Sequence, residues 1–137
     1  MKKQIFLFAV FASLAFGFKD VESEEVSIMA SSQDVFIVDV RMTEEWLESG
    51  VIPNSILITY FDGQARPMKD EFMKKLKEYT KGDKTKPILL VCRTGLRSKL
   101  VAGILEREGY KNVYNYKYGI VNWLSERRAV VKPKISK

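Results

Sequence analysis

The residues best suited to chemistry lie in one short segment, CRTGLRS at 92–98. Cys92 is the only cysteine among 137 residues, and Arg93 and Arg97 follow it closely, with Gly95 between them. One cysteine excludes a disulfide within the chain. It leaves three interpretations open: a buried filler, half of an intermolecular disulfide, or a reactive thiol. The chain has no histidine, so it lacks the usual base of Cys–His catalysis and a common metal ligand.

The surroundings of Cys92 favour the reactive thiol. Cys92 closes the apolar run ILLV and opens the turn into a helix that is predicted to begin near Ser98. Backbone N–H groups of such a junction can converge on one point, and helix N-terminal amides carry partial positive charge. Arg93 and Arg97 add full charges. All three effects favour the thiolate, which is the nucleophile. Gly95 permits the positive φ or close approach that so tight a loop requires.

The rest of the chain alternates between apolar runs and amphipathic segments. Strands are predicted at 35–40, 55–60, 86–92 and 112–116, and helices at 21–30, 43–49, 70–80, 98–109 and 119–127. Thr43 is the expected N-cap of its helix. Leu100, Val101, Ile104 and Leu105 are expected to form one buried helix face. This alternation predicts parallel β-α-β units, hence a doubly wound α/β fold with a central parallel sheet flanked by helices.

The first residues have the composition of an export signal. Lys2 and Lys3 precede a run of low polarity from Ile5 to Phe18, and Ala15 and Gly17 have the small side chains that a signal peptidase accepts. We expect a bacterial signal peptide over 1–17, cleaved after Gly17, and a periplasmic or secreted protein. The alternative is an uncleaved anchor, but the run is shorter than the roughly 20 residues of a spanning helix. No stable membrane anchor is expected.

Charge argues against a nucleic-acid partner. The net charge is +6, and it falls to +4 when Lys2 and Lys3 are removed. Basic residues are concentrated in the last segment, RRAVVKPKISK, which reads as a solvated end and not as a binding patch. One domain is therefore expected over 18–130, followed by a basic tail over 131–137. The mild positive excess suits small anionic substrates.

The motifs together resemble the single-domain rhodanese (thiosulfate sulfurtransferase) family, and small periplasmic members in particular. The resemblance rests on CRTGLRS, on DVR at 39–41, on EEWLESGVIPNSI and on YGIVNW at 118–123, and it covers roughly residues 21–130. Two segments depart from the family pattern. GVIPNS at 50–55 replaces Gly-His-Ile-Pro-Gly-Ala, and Tyr118-Gly119 replaces a Gly-Gly pair.

The resemblance implies the chemistry and a set of site residues. Cys92 would carry a persulfide, taking sulfur from a small donor such as thiosulfate and passing it to cyanide or a thiol, with no metal or organic cofactor. Substrate binding is expected from the loop residues Arg93, Thr94, Gly95, Leu96 and Arg97. Arg97 is expected to hold sulfonate oxygens through its planar fork of donors, with Arg93 beside it. Structural support of the site is expected from Asp39, Arg41 and Ser98. Trp46 and Trp123 are expected to be packing residues.

Two alternatives remain. Cysteine phosphatases and arsenate reductases use a similar loop, but they place five residues between cysteine and arginine, whereas four separate Cys92 from Arg97 here. A shorter ring should enclose one sulfur atom better than a tetrahedral oxyanion. The domain could also be a persulfide carrier or binding module in a sulfur relay. Retention of Cys92 with both arginines argues against a pure scaffold, but the choice between enzyme and carrier stays open, as does the oligomeric state.

Overall fold

The structure is a computed structural model and describes residues 17–135. Most of the predicted leader therefore lies outside the described residues. The strands are β1 (Lys19–Val21), β2 (Phe36–Asp39), β3 (Ile56–Leu57), β4 (Ile88–Val91) and β5 (Val113–Tyr116). The helices are α1 (Ser23–Ala30), α2 (Thr43–Ser49), α3 (Lys69–Thr80), α4 (Leu96–Arg107) and α5 (Gly119–Ser125). Within this part of the chain, none of the helices has both the length and the apolar content needed to cross a bilayer.

All five strands form one parallel sheet in the order β1-β5-β4-β2-β3. Side chains of β4 alternate between two cores. Leu90 packs with residues of α3 and α4 on one face, and Leu89 packs with residues of α1 and α5 on the other. Helices therefore cover both faces, which confirms the α/β fold with a central parallel sheet and explains why β4 is buried at every position.

The strand order places the end of β4 at the natural binding position of such a sheet. The chain builds outward from β2 to β3, then crosses back to β4 and continues in the opposite direction to β5. The direction reverses between β2 and β4, and ligands of open parallel sheets bind beyond the strand ends at that switch point. Cys92 follows β4 directly and lies at this place.

The two ends of the domain differ from the sequence expectation. Residues 19–21 form a strand that was not predicted, and Val21 belongs to it instead of starting the predicted helix, because these residues pair with β5 in parallel register. Three residues with one apolar side chain give no periodic signal, so only the pairing reveals this strand. At the other end, Val131 exchanges two 2.9 Å backbone hydrogen bonds with Val51, and Trp123 Nε1 donates to Ala129 O. The segment 129–131 is thus bonded to the domain, although it was expected to be a solvated end.

Three smaller differences concern a helix cap, the length of a strand and the inward face of a helix. The N-cap of α2 is Met42 and not Thr43, which is the first helical residue. The second predicted strand shortens to Ile56–Leu57, after which the chain follows β2 irregularly. In α4 the inward face is Ser98, Val101, Ala102 and Leu105, whereas Leu100 is 60% exposed. Ser98 is fully buried and belongs to the inward face of α4. A serine does not count as hydrophobic, so the hydrophobic pattern misses it and predicts a face rotated towards Leu100. Trp46 and Trp123 are buried, as predicted.

Candidate active site

The sulfur of Cys92 lies in a buried position that has polar neighbours. Only 1% of Cys92 is exposed, and the residue packs at the end of the core formed with α3 and α4. The Gly95 N–H donates to Sγ at 3.1 Å, and Ser98 Oγ lies 3.2 Å from it. The thiol is therefore not a simple core filler, because two polar groups of the following turn are directed at the sulfur.

The loop delivers fewer amides to the sulfur than the sequence predicts. A ring of converging N–H groups was expected, but among the described residues the amide of Gly95 is the one that donates to Sγ. Thr94 is exposed, and Leu96 is 72% exposed at the start of α4. The structure thus brings Gly95 and Ser98 to the sulfur and leaves Thr94 and Leu96 at the surface.

The two arginines of the loop have different surroundings. Arg97 forms a bidentate pair with Glu45 of α2, with Nη1–Oε1 and Nη2–Oε2 distances of 2.7 Å each. Arg93 is exposed and lines a cavity of about 150 Å³ between α2, the loop and α5. The guanidinium that the sequence assigned to the substrate's oxygens is thus already bound to a carboxylate, and of the two loop arginines Arg93 is the one that lines this cavity, together with Arg41 and Glu45.

The Arg97–Glu45 pair has clear electrostatic consequences. Burial raises the pKa of Glu45, but the hydrogen bonds from Arg97 and from the Met42 N–H outweigh burial, and the pKa is lowered overall. The pKa of Arg97 is raised, first by its hydrogen bond to Glu45 and further by the negative charges of Glu45, of a Cys92 thiolate and of Asp39. Both groups are held in their charged forms, and the positive charge of Arg97 lies near the sulfur.

A buried ion pair braces the neighbouring strand end. Asp39 is 1% exposed and Arg41 is 2% exposed, and Arg41 Nη2 lies 2.7 Å from Asp39 Oδ2. Arg41 also donates to Ser49 Oγ at 2.9 Å and to Gly50 O at 3.1 Å. These bonds tie the end of β2 to the end of α2, and α2 carries Glu45. Asp39 and Arg41 therefore support the site indirectly, through the placement of α2.

Two glycines interlock the active-site loop with the turn before α5. A Cβ on Gly95 would lie 2.0 Å from Lys117 O, and a Cβ on Gly119 would lie 2.2 Å from Arg93 O. Both glycines have positive φ. The Ile120 N–H then donates to Cys92 O at 2.9 Å. The first turn of α5 thus fixes the backbone of Cys92, and this contact requires residues without a side chain.

A buried polar chain extends from the sulfur to the sheet edge. Ser98 Oγ lies 2.5 Å from Asn115 Oδ1, and Asn115 Nδ2 lies 3.1 Å from Asp20 Oδ1. Asp20 and Asn115 are direct partners in the β1–β5 register. Ser98 and Asn115 are almost completely buried, whereas Asp20 is exposed. Ser98 therefore joins the sulfur to a second set of polar groups.

Comparison with known proteins now assigns the family. The pattern described as Rhodanese-like domain matches residues 22–126. The chain belongs to the rhodanese-like domain family. A putative sulfurtransferase of Bacillus subtilis, YtwF, is 32% identical over 120 residues, which cover 83% of this chain and 99% of that protein. The thiosulfate sulfurtransferase GlpE of Coxiella burnetii is 31% identical over 107 residues, covering 77% of this chain and 87% of that protein.

A solved structure supports the same assignment. The rhodanese-like domain protein of Staphylococcus aureus is 29% identical and superposes with a TM-score of 0.57, covering 77% of this chain and 91% of that one. Two of these relatives of the rhodanese-like chain are named as sulfurtransferases. The resemblance noted in the sequence is confirmed.

Sequence reasoning missed three residues of this rhodanese-like site. Glu45 lies in the predicted helix 43–49 and Asn115 in the predicted strand 112–116, and neither was assigned to the site. Asp20 lies in the strand that gave no signal. A partial clue existed for both, since Glu45 lies in the first turn of the helix that follows a predicted strand and Asn115 lies near the carboxyl end of another, and side chains at that edge of the sheet meet those of the loop. For Asp20 the sequence offered none.

Proposed function

We propose that this rhodanese-like protein transfers sulfane sulfur from thiosulfate, or a similar small donor, to cyanide or a thiol through a persulfide on Cys92. The observation that carries the proposal is the placement of the Cys92 sulfur beyond the central strand, beside the Gly95 amide and the Ser98 hydroxyl. A thiosulfate sulfurtransferase from Coxiella burnetii is among the relatives, which supports the choice of donor.

The first half-reaction loads the cysteine. The Cys92 thiolate attacks the outer sulfur of thiosulfate, a new sulfur–sulfur bond forms, and the bond to the sulfonate sulfur breaks. Sulfite leaves with the electron pair of that bond, so no oxidant or reductant is needed. Gly95 and Ser98 contact Sγ itself, so they hold the inner sulfur of the persulfide, and the terminal sulfur extends from it.

The second half-reaction removes the sulfur from Cys92. The carbon of cyanide, or the sulfur of a thiolate, attacks the terminal sulfur of the persulfide. The bond to Cys92 breaks and its electron pair returns to the cysteine as thiolate, leaving thiocyanate or a new persulfide as product. Two half-reactions that share one covalent intermediate give ping-pong kinetics.

The arginines have separate roles in this proposal. Arg93 follows Cys92 directly and is exposed, so its guanidinium fork is free to bind the sulfonate oxygens of the donor and the departing sulfite. Arg97 stays paired with Glu45 and keeps a positive charge near the sulfur. Arg97 therefore positions the loop, while Arg93 selects an anionic donor.

Intact-mass measurement tests the persulfide directly. Purified protein treated with thiosulfate should gain the mass of one sulfur atom, and cyanide should remove it with release of thiocyanate. Cys92→Ser should gain nothing, and its unchanged unfolding midpoint would show that the fold is intact. The proposal fails if the native protein gains no sulfur from thiosulfate or any polysulfide donor, or if Cys92→Ser retains transfer.

The phosphatase alternative has its own assay. Four residues separate Cys92 from Arg97, and one amide donates to the sulfur within the described residues, which is a small cradle for a tetrahedral phosphate or arsenate. We expect no hydrolysis of an aryl phosphate above the rate of Cys92→Ser. Hydrolysis faster than sulfur transfer would reverse the assignment.

A carrier role would give a different kinetic result. A carrier accepts sulfur once and passes it to one protein thiol, so its turnover with thiosulfate and cyanide would be slow while the loaded persulfide discharges fast to that thiol. The ratio of these two rates decides between a free-standing enzyme and a relay component. We expect multiple turnovers with small acceptors.

Export from the cytoplasm remains a proposal, with cleavage after Gly17 and a periplasmic or secreted product. The backbone nitrogen of Phe18 lies 2.6 Å from Glu106 Oε1. Cleavage there would turn this nitrogen into an ammonium group beside a carboxylate, which strengthens the contact. Expression in a bacterial host followed by fractionation and intact mass should give a chain that begins at Phe18 outside the cytoplasm. A full-length cytoplasmic chain would contradict the proposal.

A further inference from the structure

The Ser98 hydroxyl has one hydrogen and two neighbours that could accept it. Its Oγ lies 2.5 Å from Asn115 Oδ1 and 3.2 Å from Cys92 Sγ. A hydroxyl donates once and accepts through its lone pairs. The two contacts therefore compete for the same hydrogen whenever the sulfur carries no hydrogen of its own.

The orientation of the Asn115 amide decides where the hydrogen lies. Its Nδ2 faces the carboxylate of Asp20 at 3.1 Å and the carbonyl of Gly95 at 3.4 Å. Both are acceptors that cannot donate, so the NH₂ group must point to them and the carbonyl oxygen must point to Ser98. Two oxygens 2.5 Å apart need a hydrogen between them, and only the Ser98 hydroxyl can supply it.

We propose that Asn115, held by Asp20, is a positioning residue that withholds the Ser98 hydroxyl hydrogen from Cys92 in the resting thiol and releases it when the sulfur loses its proton. In the resting state the Cys92 S–H donates to Ser98 Oγ, and Ser98 donates to Asn115. When the thiol proton leaves to solvent or buffer, the hydroxyl turns to the sulfur, and Asn115 loses its donor.

The network sets how readily the thiolate forms at this site. Other charges lie around the site: Arg97 from α4, with Glu45 of α2 bound to it, and the Asp39–Arg41 pair at the end of β2. These favour or oppose the thiolate through space. Asn115 acts instead through Ser98, so its effect must disappear when the Ser98 hydroxyl is absent. This dependence is the property to test.

The test follows the alkylation of Cys92, the only cysteine, by iodoacetamide as a function of pH. Ser98→Ala removes a donor to the thiolate and should raise the midpoint of the rate profile by about one pH unit, which is a tenfold loss of thiolate below the midpoint. Asn115→Leu, of similar volume, frees the hydroxyl for the sulfur and should lower the midpoint by a similar amount.

The double variant provides the decisive comparison. In Ser98→Ala/Asn115→Leu, the Asn115 change should no longer shift the midpoint relative to Ser98→Ala alone. A purely structural role for Asn115, such as holding the loop, would produce the same shift with or without the hydroxyl. An equal shift in both backgrounds, or a raised midpoint for Asn115→Leu in the native background, would overturn the proposal.

An exposed residue gives a second test that does not disturb the core. Asp20→Ala removes the acceptor that orients the amide, so the amide can turn its NH₂ to Ser98 and free the hydroxyl for the sulfur. Asp20→Asn removes the same charge but keeps an acceptor oxygen for the amide. Asp20→Ala should therefore lower the midpoint further than Asp20→Asn does, whereas equal midpoints would assign the effect to charge alone and refute the network.

The proposal rests on the proposed function only in naming the thiolate as the reacting form. Alkylation requires no sulfur donor, so the midpoints can be measured whether or not the protein moves sulfur. A protein that shows the expected midpoints but takes no sulfur from thiosulfate would refute the proposed function and leave the network standing. A protein that takes sulfur from thiosulfate but does not show the expected midpoints would refute the network alone.

Discussion

Replacement of Gly119 by alanine tests whether the close contact between α5 and the active-site loop is real. Gly119 has φ of +71°, and an added Cβ would lie 2.2 Å from Arg93 O and 2.4 Å from the Arg93 carbonyl carbon. Both neighbours are backbone atoms, so a rotamer change cannot relieve the overlap. The loop and α5 would have to separate by about 1.2 Å before ordinary van der Waals contact at 3.4 Å is restored.

The expected cost follows from three contributions. A non-glycine residue in the left-handed region costs about 1–2 kcal/mol. Separation also weakens the bonds from Ile120 N–H to Cys92 O and from Val121 N–H to Arg93 O, each with a net contribution of about 1 kcal/mol. Alanine also restricts the unfolded chain, which raises the free energy of unfolding by about 0.4–1 kcal/mol and offsets part of this loss. Gly119→Ala should therefore lower the free energy of unfolding by about 2–3.5 kcal/mol, or Tm on the order of 10 °C.

Gly103→Ala is the matched control. Gly103 lies inside α4, and an added Cβ would meet nothing within 4 Å. The same substitution should raise the free energy of unfolding there by about 0.5–1 kcal/mol, because alanine is the better helix former. Urea unfolding of both variants, with sulfur transfer measured alongside, gives opposite signs if the contact exists. A Gly119→Ala protein as stable and as active as the native one would refute the interlock.

Four other substitutions test the charges around the site. Asp39→Ala leaves the guanidinium of Arg41 buried without its partner and should cost about 3–5 kcal/mol in urea unfolding, whereas a loss below about 1 kcal/mol would mean that the pair is not buried. The pKa of Glu45 is lowered in the folded state, so its contribution to stability is present above its ordinary pKa of 4.5 and is lost as pH falls through the lowered value. Glu45→Gln should therefore be less stable than the native protein at neutral pH and converge with it in acid, and a gap in Tm that does not change with pH would contradict this. Arg93→Lys should raise KM for thiosulfate with little change in Tm, whereas Arg97→Lys should lower Tm as well because it breaks a bidentate pair. The opposite pattern would exchange the roles of the two arginines.

Local sequence was enough to predict most elements of the fold. An apolar run of β-branched and leucine residues predicts a buried strand wherever it occurs, and β2 and β4 are found within one or two residues of their expected limits. The predicted limits failed where a neighbouring element decides the conformation. The strand β1 exists because β5 lies beside it, and β3 is short because an edge strand has a single partner.

The inward face of α4 illustrates the same limit within a helix. Hydrophobic periodicity placed Leu100 in the core, but Ser98 takes part in the buried stripe and turns Leu100 to solvent. A buried hydroxyl is tolerated there because Asn115 and Cys92 are its partners. Such partners are invisible to a pattern that counts apolar residues only.

The sequence by itself predicted which atom is proposed to react, and it predicted the place of that atom in the fold. The lone cysteine comes directly after an apolar strand and is followed by a glycine, two arginines and a helix. A residue in this position lies at the binding edge of a parallel sheet, whatever the order of the other strands. Only the tertiary structure decided which groups surround that sulfur. Glu45 reaches Arg97 across 52 positions of sequence, Asn115 reaches Ser98 across 17, and Asp20 reaches Asn115 across 95. Those contacts depend on strand order, and strand order arises from the packing of the whole sheet and leaves no trace in any local pattern.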